Sequence, residues 1–323
     1  MKYVPLGRSG IMVSQLCFGT MGFVSRTDKA QSERLYKQAR EAGINFFDTA
    51  NVYSKGEVEK FLGAFMKEER SKVVVTTKGF SAMGSDPNER GSSAKSLRHA
   101  LEGSLKRLNT EYVDVYFLHG FDSTTSEEEI LRTLEGFVAS GKVLTLGVSN
   151  YSAYQTMKIN AQAHTLGLPQ INVLQPMYSL AKRIAEVEIL PMAKEENLGV
   201  ISYSPLGAGL LTGRYSKSKP AEGRLVENPM YTKRYKEQTY FTLATNFSAY
   251  AKELGVPEAL LATAWVLRNK AITAPIIGPT KEEYLDLSLK ALEFEITSEI
   301  AAALDELAPP PPPANDRSEV NWS

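Results

Sequence analysis

Eight short apolar runs, each followed by a longer amphipathic stretch, recur along this chain, and no other feature limits its fold so tightly. The runs are Leu16-Cys17-Phe18-Gly19, Asn45-Phe46-Phe47-Asp48, Val73-Val74-Val75-Thr76-Thr77, Val113-Asp114-Val115-Tyr116-Phe117-Leu118, Thr145-Leu146-Gly147-Val148, Asn172-Val173-Leu174-Gln175, Gly199-Val200-Ile201-Ser202-Tyr203 and Thr273-Ala274-Pro275-Ile276-Ile277. Rich in β-branched and aromatic residues, they read as strands buried on both faces. Between them the spacing turns helical. Asp28 is placed to cap a helix ending at Gly43, and Lys95 to Leu108 sets Leu97, Leu101, Leu105 and Leu108 on one face. Ser126 with Glu129 reads as a capping box opening a third helix, and Ser152 to Leu166 forms a fourth. Regular strand–helix alternation demands parallel strands joined by crossovers. A closed (β/α)8 TIM barrel fits this order better than a doubly wound sheet.

Three segments fall outside the repeat. Residues 1–15 carry two glycine-centred turns and predict a β-hairpin plugging one barrel end. The connection from Pro205 to about Phe241 predicts a long loop after strand seven, of the kind that usually bears function. After a last helix, Ser298 to Leu307, the run Pro309 to Pro313 predicts a stiff polyproline segment. The expected organisation is one barrel domain at 1–308 and a Pro-rich C-terminal tail at 309–323.

Composition removes several classes of function. Lys and Arg, 37 in number, balance 37 Asp and Glu, so no basic stripe exists to follow phosphates and nucleic acid is not an expected partner. The longest uncharged stretch, Ile159 to Ala181, is broken by Pro169, Pro176 and several amides, which excludes a membrane span there. The first residues lack the apolar core of a signal peptide, and the lone Cys17 points to a reducing compartment, so a cytoplasmic protein is expected. Nothing in the pattern speaks to oligomeric state.

In such a barrel the chemistry sits at the C-terminal ends of the strands. Asp48 ends the second strand and leads to Tyr53, Lys78 ends the third, and His119 ends the fourth. Singly, each has an ordinary explanation as a helix cap, a packing residue or a core histidine. Together they support one another: a buried Lys needs a carboxylate to stay charged, and a Tyr beside that ammonium should have its pKa lowered toward the working range, making it a general acid. His99 and His164 fall in helical stretches and read as solvent-facing or structural, and three dispersed histidines do not space as a metal site.

These residues resemble the aldo-keto reductases. The signature is Gly43-Ile44-Asn45-Phe46-Phe47-Asp48-Thr49-Ala50-Asn51-Val52-Tyr53, followed by Lys78 and by Leu118-His119. The resemblance runs from Leu6-Gly7-Arg8-Ser9-Gly10 through Gly147-Val148-Ser149-Asn150 and Tyr203-Ser204-Pro205-Leu206 to Ile277-Gly278. It implies NADPH-dependent reduction of aldehydes or ketones, with Tyr53 donating the proton, Lys78 and Asp48 tuning it, and His119 orienting the small-molecule carbonyl. It further implies that Ser149, Asn150 and Gln175 hold the carboxamide and that Tyr203 stacks on the nicotinamide. Ser204, Leu206, Gly207, Gly209, Leu211, Gly213 and Arg214 would wrap the pyrophosphate, with Thr20 and Met21 also at the cofactor. The glycine run is not a Rossmann fingerprint, since its last glycine comes one place late. Gly278, Thr280 and Lys281 would open a helix whose amides meet the 2′-phosphate, with Tyr284 and Ser288 at the adenosine end. Tyr284, Leu287 and Ser288 depart from the residues many relatives carry there, which leaves the phosphate grip, and with it NADP over NAD, mainly to Lys281.

The same catalytic residues also resemble potassium-channel β subunits, which implies a second reading: a redox-sensing regulatory subunit that holds nucleotide and turns over slowly. Phe23, Phe80 and Phe121, each a few residues beyond a strand end, are expected to form an apolar substrate pocket. Those stretches hold no Arg or Lys except Arg26 and Arg90, so neutral aromatic or medium-chain aldehydes are the expected substrates. Preference for an anionic substrate would instead require Arg26, Arg90 or a residue of the long loop.

Overall fold

The computed structural model describes residues 1–215 and 223–317. Residues 216–222 of the long connection and 318–323 of the tail, for which the sequence predicted loop and loose chain, lie outside the described residues. The chain begins with a hairpin, β1 (Tyr3–Pro5) and β2 (Met12–Ser14), paired Tyr3 to Ser14 and Val4 to Val13. The eight repeats follow as β3 (Cys17–Gly19), β4 (Phe46–Asp48), β5 (Val74–Gly79), β6 (Val113–Leu118), β7 (Val143–Ser149), β8 (Ile171–Gln175), β9 (Gly199–Val200) and β10 (Ile276–Ile277). All pair in parallel, in the order β10-β3-β4-β5-β6-β7-β8-β9. The ends meet where the Thr273 and Ala274 amides donate to the Val200 carbonyl and the Ile276 amide to Ser202, which closes the barrel.

The helices sit where the spacing put them. α1 (Lys29–Glu41) is capped by Asp28, whose carboxylate accepts from the Gln31 amide at 2.8 Å. α2 (Glu57–Phe65) and α3 (Ala94–Leu108) follow. At the start of α4 (Glu127–Ala139), Ser126 accepts from the Glu129 amide, but the Glu129 carboxylate turns to the Ala94 amide of α3 at 3.0 Å, so only half the expected capping box forms. The reciprocal box is made instead by Ser152 and Gln155 at the start of α5 (Ala153–Leu166). α6 (Ile189–Glu195) completes the outer layer on that side.

Two apolar layers follow from this arrangement. Cys17, Phe46, Val74, Val115, Phe117, Val173, Ile201 and Ala274 fill the barrel interior together with Leu6 and Val13 of the hairpin segment, which shuts its N-terminal end as expected. A larger cluster lies between strands and helices. Within it Glu59 is wholly buried, and it is satisfied by the Thr77 hydroxyl at 2.6 Å and the Arg107 guanidinium at 2.7 Å.

The long connection expected after β9 contains helices. It carries α7 (Arg224–Glu227) and α8 (Pro229–Arg234), and α9 (Gln238–Glu253) begins before its predicted end. Helices of four and six residues are too short to show a period. They pack Leu225, Tyr231 and Tyr235 against Ala208, Leu210, Tyr215 and Ala244, an apolar cluster of their own beside the site. Lys182, from the loop after β8, donates to the Tyr240 hydroxyl and lies 4.3 Å from that ring's centre, tying α9 down. α10 (Glu258–Leu267), α11 (Glu282–Lys290) and α12 (Ser298–Leu307) complete the chain.

Candidate active site

Asp48, Lys78 and His119 stand at the ends of adjacent strands β4, β5 and β6, so the sheet register alone brings them together. The Lys78 ammonium is wholly buried and donates to both Asp48 oxygens and to the Thr49 carbonyl, each at 2.7 Å. Asp48 also accepts from the Thr76 hydroxyl at 2.7 Å and the Gln175 amide at 2.8 Å. Every proton of the ammonium is used, which is the condition under which a buried pair persists. Thr76 precedes Lys78 by two residues and shares its face of β5, a signal available from strand periodicity that the sequence reading passed over.

Tyr53 follows β4 on a short helical turn, its ring centre 5.2 Å from the Lys78 ammonium and 6.2 Å from the His119 ring, edge to face. The expected lowering of its pKa does not occur. Burial and the Asp48 charge hold the phenol well above its ordinary value, opposed by Arg224, while the Lys78 charge is engaged by Asp48. His119 is held down to about 4 by burial and then by the Lys78 charge, so it is a neutral imidazole near pH 7. Its Nδ1 is buried and has no hydrogen-bond partner among the described residues. His99 and His164 are both exposed.

Next to these four, the side chains expected at the carboxamide bond to one another and to the catalytic residues. Ser149 donates to the Gln175 carbonyl at 3.0 Å, and the Asn150 amide donates to the His119 carbonyl at 2.9 Å. Tyr203 donates to Asn150 at 2.7 Å, and Thr20 to the Asp48 carbonyl at 2.9 Å. Around them the backbone is strained: Ser54, Lys55, Phe80, Asn150, Ser204 and Ala208 all have positive φ. Gly207, Gly209 and Gly213 share that sign, so the stretch from Leu206 folds as a tight glycine turn with the Gly209 and Leu211 amides both on the Leu206 carbonyl. Leu211 itself is wholly buried in the main core, so its side chain does not face a ligand, whereas Arg214 is exposed and Met21 packs on the cluster under α7 and α8.

At the far end, Lys281 caps α11 with its ammonium 5.7 Å from the Tyr284 ring and 3.6 Å from the Glu283 carboxylate, all of it exposed. Thr280 stands against Gly22, within ordinary contact of a Cβ placed there, and Gly278 faces the Gly19 carbonyl. The Ser288 hydroxyl donates to the Tyr284 carbonyl within its own helix.

The aromatic pocket needs correction. Phe23 is buried to 1% exposure between Phe18 and Phe65, because the turn at 20–22 folds it back into the layer between barrel and helices; it is core and not pocket. Phe80 lies over Gly120, and Phe121 packs edge to face on Tyr151 at 5.4 Å. The sequence reading missed Arg224 on α7, whose charge opposes the rise of the Tyr53 pKa, and Tyr231 on α8.

With barrel, strand-end residues and glycine turn in place, comparison with known proteins identifies the class. The model of the aldo/keto reductase family matches residues 15–309, and the chain belongs to that family. It is 40% identical to an uncharacterised oxidoreductase, YrpG, of Bacillus subtilis, over 96% of this chain and 97% of that protein. It is 38% identical to a probable voltage-gated potassium channel subunit beta of rice, covering 91% and 92%. It is also 33% identical to norsolorinic acid reductase A of Aspergillus parasiticus, covering 93% and 79%.

Proposed function

We propose that the protein reduces aldehydes or ketones to alcohols with NADPH, in the cytoplasm, and that Tyr53 is the proton donor. The observation that carries this is the Lys78 ammonium held on both Asp48 oxygens 5.2 Å from the Tyr53 ring. The residues fit a bound nicotinamide nucleotide: the glycine turn at 207–213 allows close backbone approach, and the buried His119 Nδ1 has no hydrogen-bond partner among the described residues. When bound, that nucleotide supplies the hydride. The Tyr53 phenol, with its pKa raised, stays protonated across the neutral range and can donate to the developing alkoxide. Neutral His119 orients the carbonyl oxygen, and the Asp48–Lys78 pair fixes the electrostatics beside the phenol, its carboxylate keeping Tyr53 protonated.

Relatives named as potassium channel subunits favour a second reading, a nucleotide-holding regulatory subunit with slow turnover. One experiment separates them. Purified protein is mixed with excess NADPH and benzaldehyde, and NADPH absorbance is followed. Continuous consumption far beyond one equivalent per chain supports the reductase; a single equivalent followed by a plateau contradicts it. The same assay with NADH reads cofactor preference.

A further inference from the structure

Phe80 is an apolar ring that the core does not use. It follows Lys78 and Gly79 directly at the end of β5, stands half-buried, and among the described residues joins none of the apolar clusters, including the one that takes in Phe23 and Phe121. Its ring lies against Gly120, the neighbour of His119, so closely that a Cβ on Gly120 would come within 2.9 Å of it. The backbone there is strained. Phe80 has φ 139°, a value that residues with a side chain avoid, and such a residue keeps its conformation only where its surroundings impose it.

Those surroundings converge on one carboxylate. The Phe80 carbonyl accepts from the Gly91 amide at 2.8 Å, which closes residues 80–91 into a loop with both ends together. The next amide, that of Ser92, donates to Asp122 Oδ2 at 2.6 Å, and Asp122 belongs to the loop after β6, which also carries His119. Within its own loop, Asp122 accepts from the Thr124 amide at 2.9 Å and hydroxyl at 2.6 Å, and from the Thr125 hydroxyl at 3.0 Å. Gly91, at φ 85°, makes room for this joint, since a Cβ there would stand 3.0 Å from Asp122 Oδ2. Beyond Ser92 the chain is already fixed: Ser93 caps α3, and the Ala94 amide donates to Glu129 of α4. Hydrogen bonds to an ionised carboxylate are roughly twice as strong as neutral ones, so the joint is firm. We propose that Asp122 is a positioning residue for the substrate: it straps the loop after β5 to the loop after β6, and so keeps the Phe80 ring as an apolar wall beside His119 that favours aromatic over small aliphatic carbonyls. The inference rests on the reductase reading. Asp122 acts through Phe80, so its effect falls on the choice of substrate and not on the chemical step.

The test is a double-mutant cycle with Asp122→Ala and Phe80→Ala, measuring kcat and KM for benzaldehyde and propanal beside fluorescence titration of NADPH. The expected result for Asp122→Ala is a rise of about 5- to 20-fold in the benzaldehyde KM, with kcat, the propanal KM and nucleotide affinity within about twofold of wild type. Because the strap works through the ring, adding Asp122→Ala to Phe80→Ala should change the benzaldehyde KM by less than about twofold. Asp122→Asn, which keeps one accepting oxygen, should show a smaller rise in the same direction, and it carries the test if the alanine variant does not fold. Additive effects of the two substitutions overturn the inference. So does an equal loss on both aldehydes, or a loss of urea stability with KM unchanged, which would assign Asp122 to folding alone. Calorimetric titration of benzyl alcohol in the presence of NADP makes the test independent of turnover: weaker binding in Asp122→Ala, even from a protein that consumes no NADPH, upholds the strap while rejecting the reductase, and unchanged binding rejects the strap.

Discussion

The two ends of the barrel are built on opposite terms. At the N-terminal end the hairpin leaves little unsatisfied: Arg8 donates to Asn172 and Gln170, Asn45 exchanges hydrogen bonds with Ser14 and donates to the Met12 carbonyl, and Tyr3 donates to the Gly43 carbonyl. Tight backbone there falls to residues that tolerate it, Gly7 and Gly10 in the hairpin and Asn109 and Asn197 at helix ends. At the C-terminal end, positive φ falls on Val24, Ser54, Lys55, Phe80, Ser204 and Ala208, and buried atoms of Thr49, Asn51, His119 and Ser202 lack partners among the described residues. One end is satisfied and holds the barrel closed; the other carries strain and buried charge that only a rigid support maintains. The contrast teaches that chemistry in this fold depends on an end it never uses.

Removing one charge at the strained end should have the largest effect. Lys78→Met leaves Asp48 buried with only Thr76 and Gln175, and should cost about 3–5 kcal/mol in urea unfolding. Adding Asp48→Asn should recover much of it. A cost under about 1 kcal/mol would show that the pair is not desolvated as its geometry indicates.

His119 sharpens the comparison through pH. Its folded-state pKa of about 4 lies below the unfolded 6.5, so the unfolded chain binds the extra proton first. Its contribution is complete above pH 6.5 and is lost as pH falls toward 4, amounting to at most about 3 kcal/mol. Urea unfolding of wild type minus His119→Gln across that window should show the loss in wild type alone. Asp122, with four hydrogen bonds joining Ser92, Thr124 and Thr125, is lowered to about 2 and fails only below the usual carboxylate range, so the two windows do not overlap.

At the satisfied end, Gly7 has φ 56° and a Cβ there would overlap the Gly199 amide nitrogen. Gly7→Ala should destabilise by about 1–3 kcal/mol while leaving the activity of the folded fraction unchanged. The smallest effect has the opposite sign. Val24, β-branched and 39% exposed, sits at φ 68°, and Val24→Asn should raise stability by about 1 kcal/mol. A loss would mean that the valine side chain, and not the strained backbone, dominates there.

The barrel was legible because its strands are continuous apolar runs and its helices are long enough to show a period, down to Asp28 and Ser126 as caps. Asp48, Lys78 and His119 were legible because each ends a run. What stayed hidden depends on contacts that no local pattern encodes. Phe23 looked like a rim residue until a three-residue turn folded it inward, and Tyr53 looked acidified until Asp48 absorbed the Lys78 charge. Arg224 and Tyr231 sit on helices too short to leave a trace in sequence.

The central claim is that the phenol of Tyr53 acts as an acid and is not merely part of the pocket wall. The direct test is Tyr53→Phe, which keeps the ring and removes the proton, assayed for benzaldehyde reduction beside fluorescence titration of NADPH. The account predicts a rate lower by about 10²- to 10⁴-fold with nucleotide affinity unchanged. A variant that keeps more than about a tenth of the rate would contradict it.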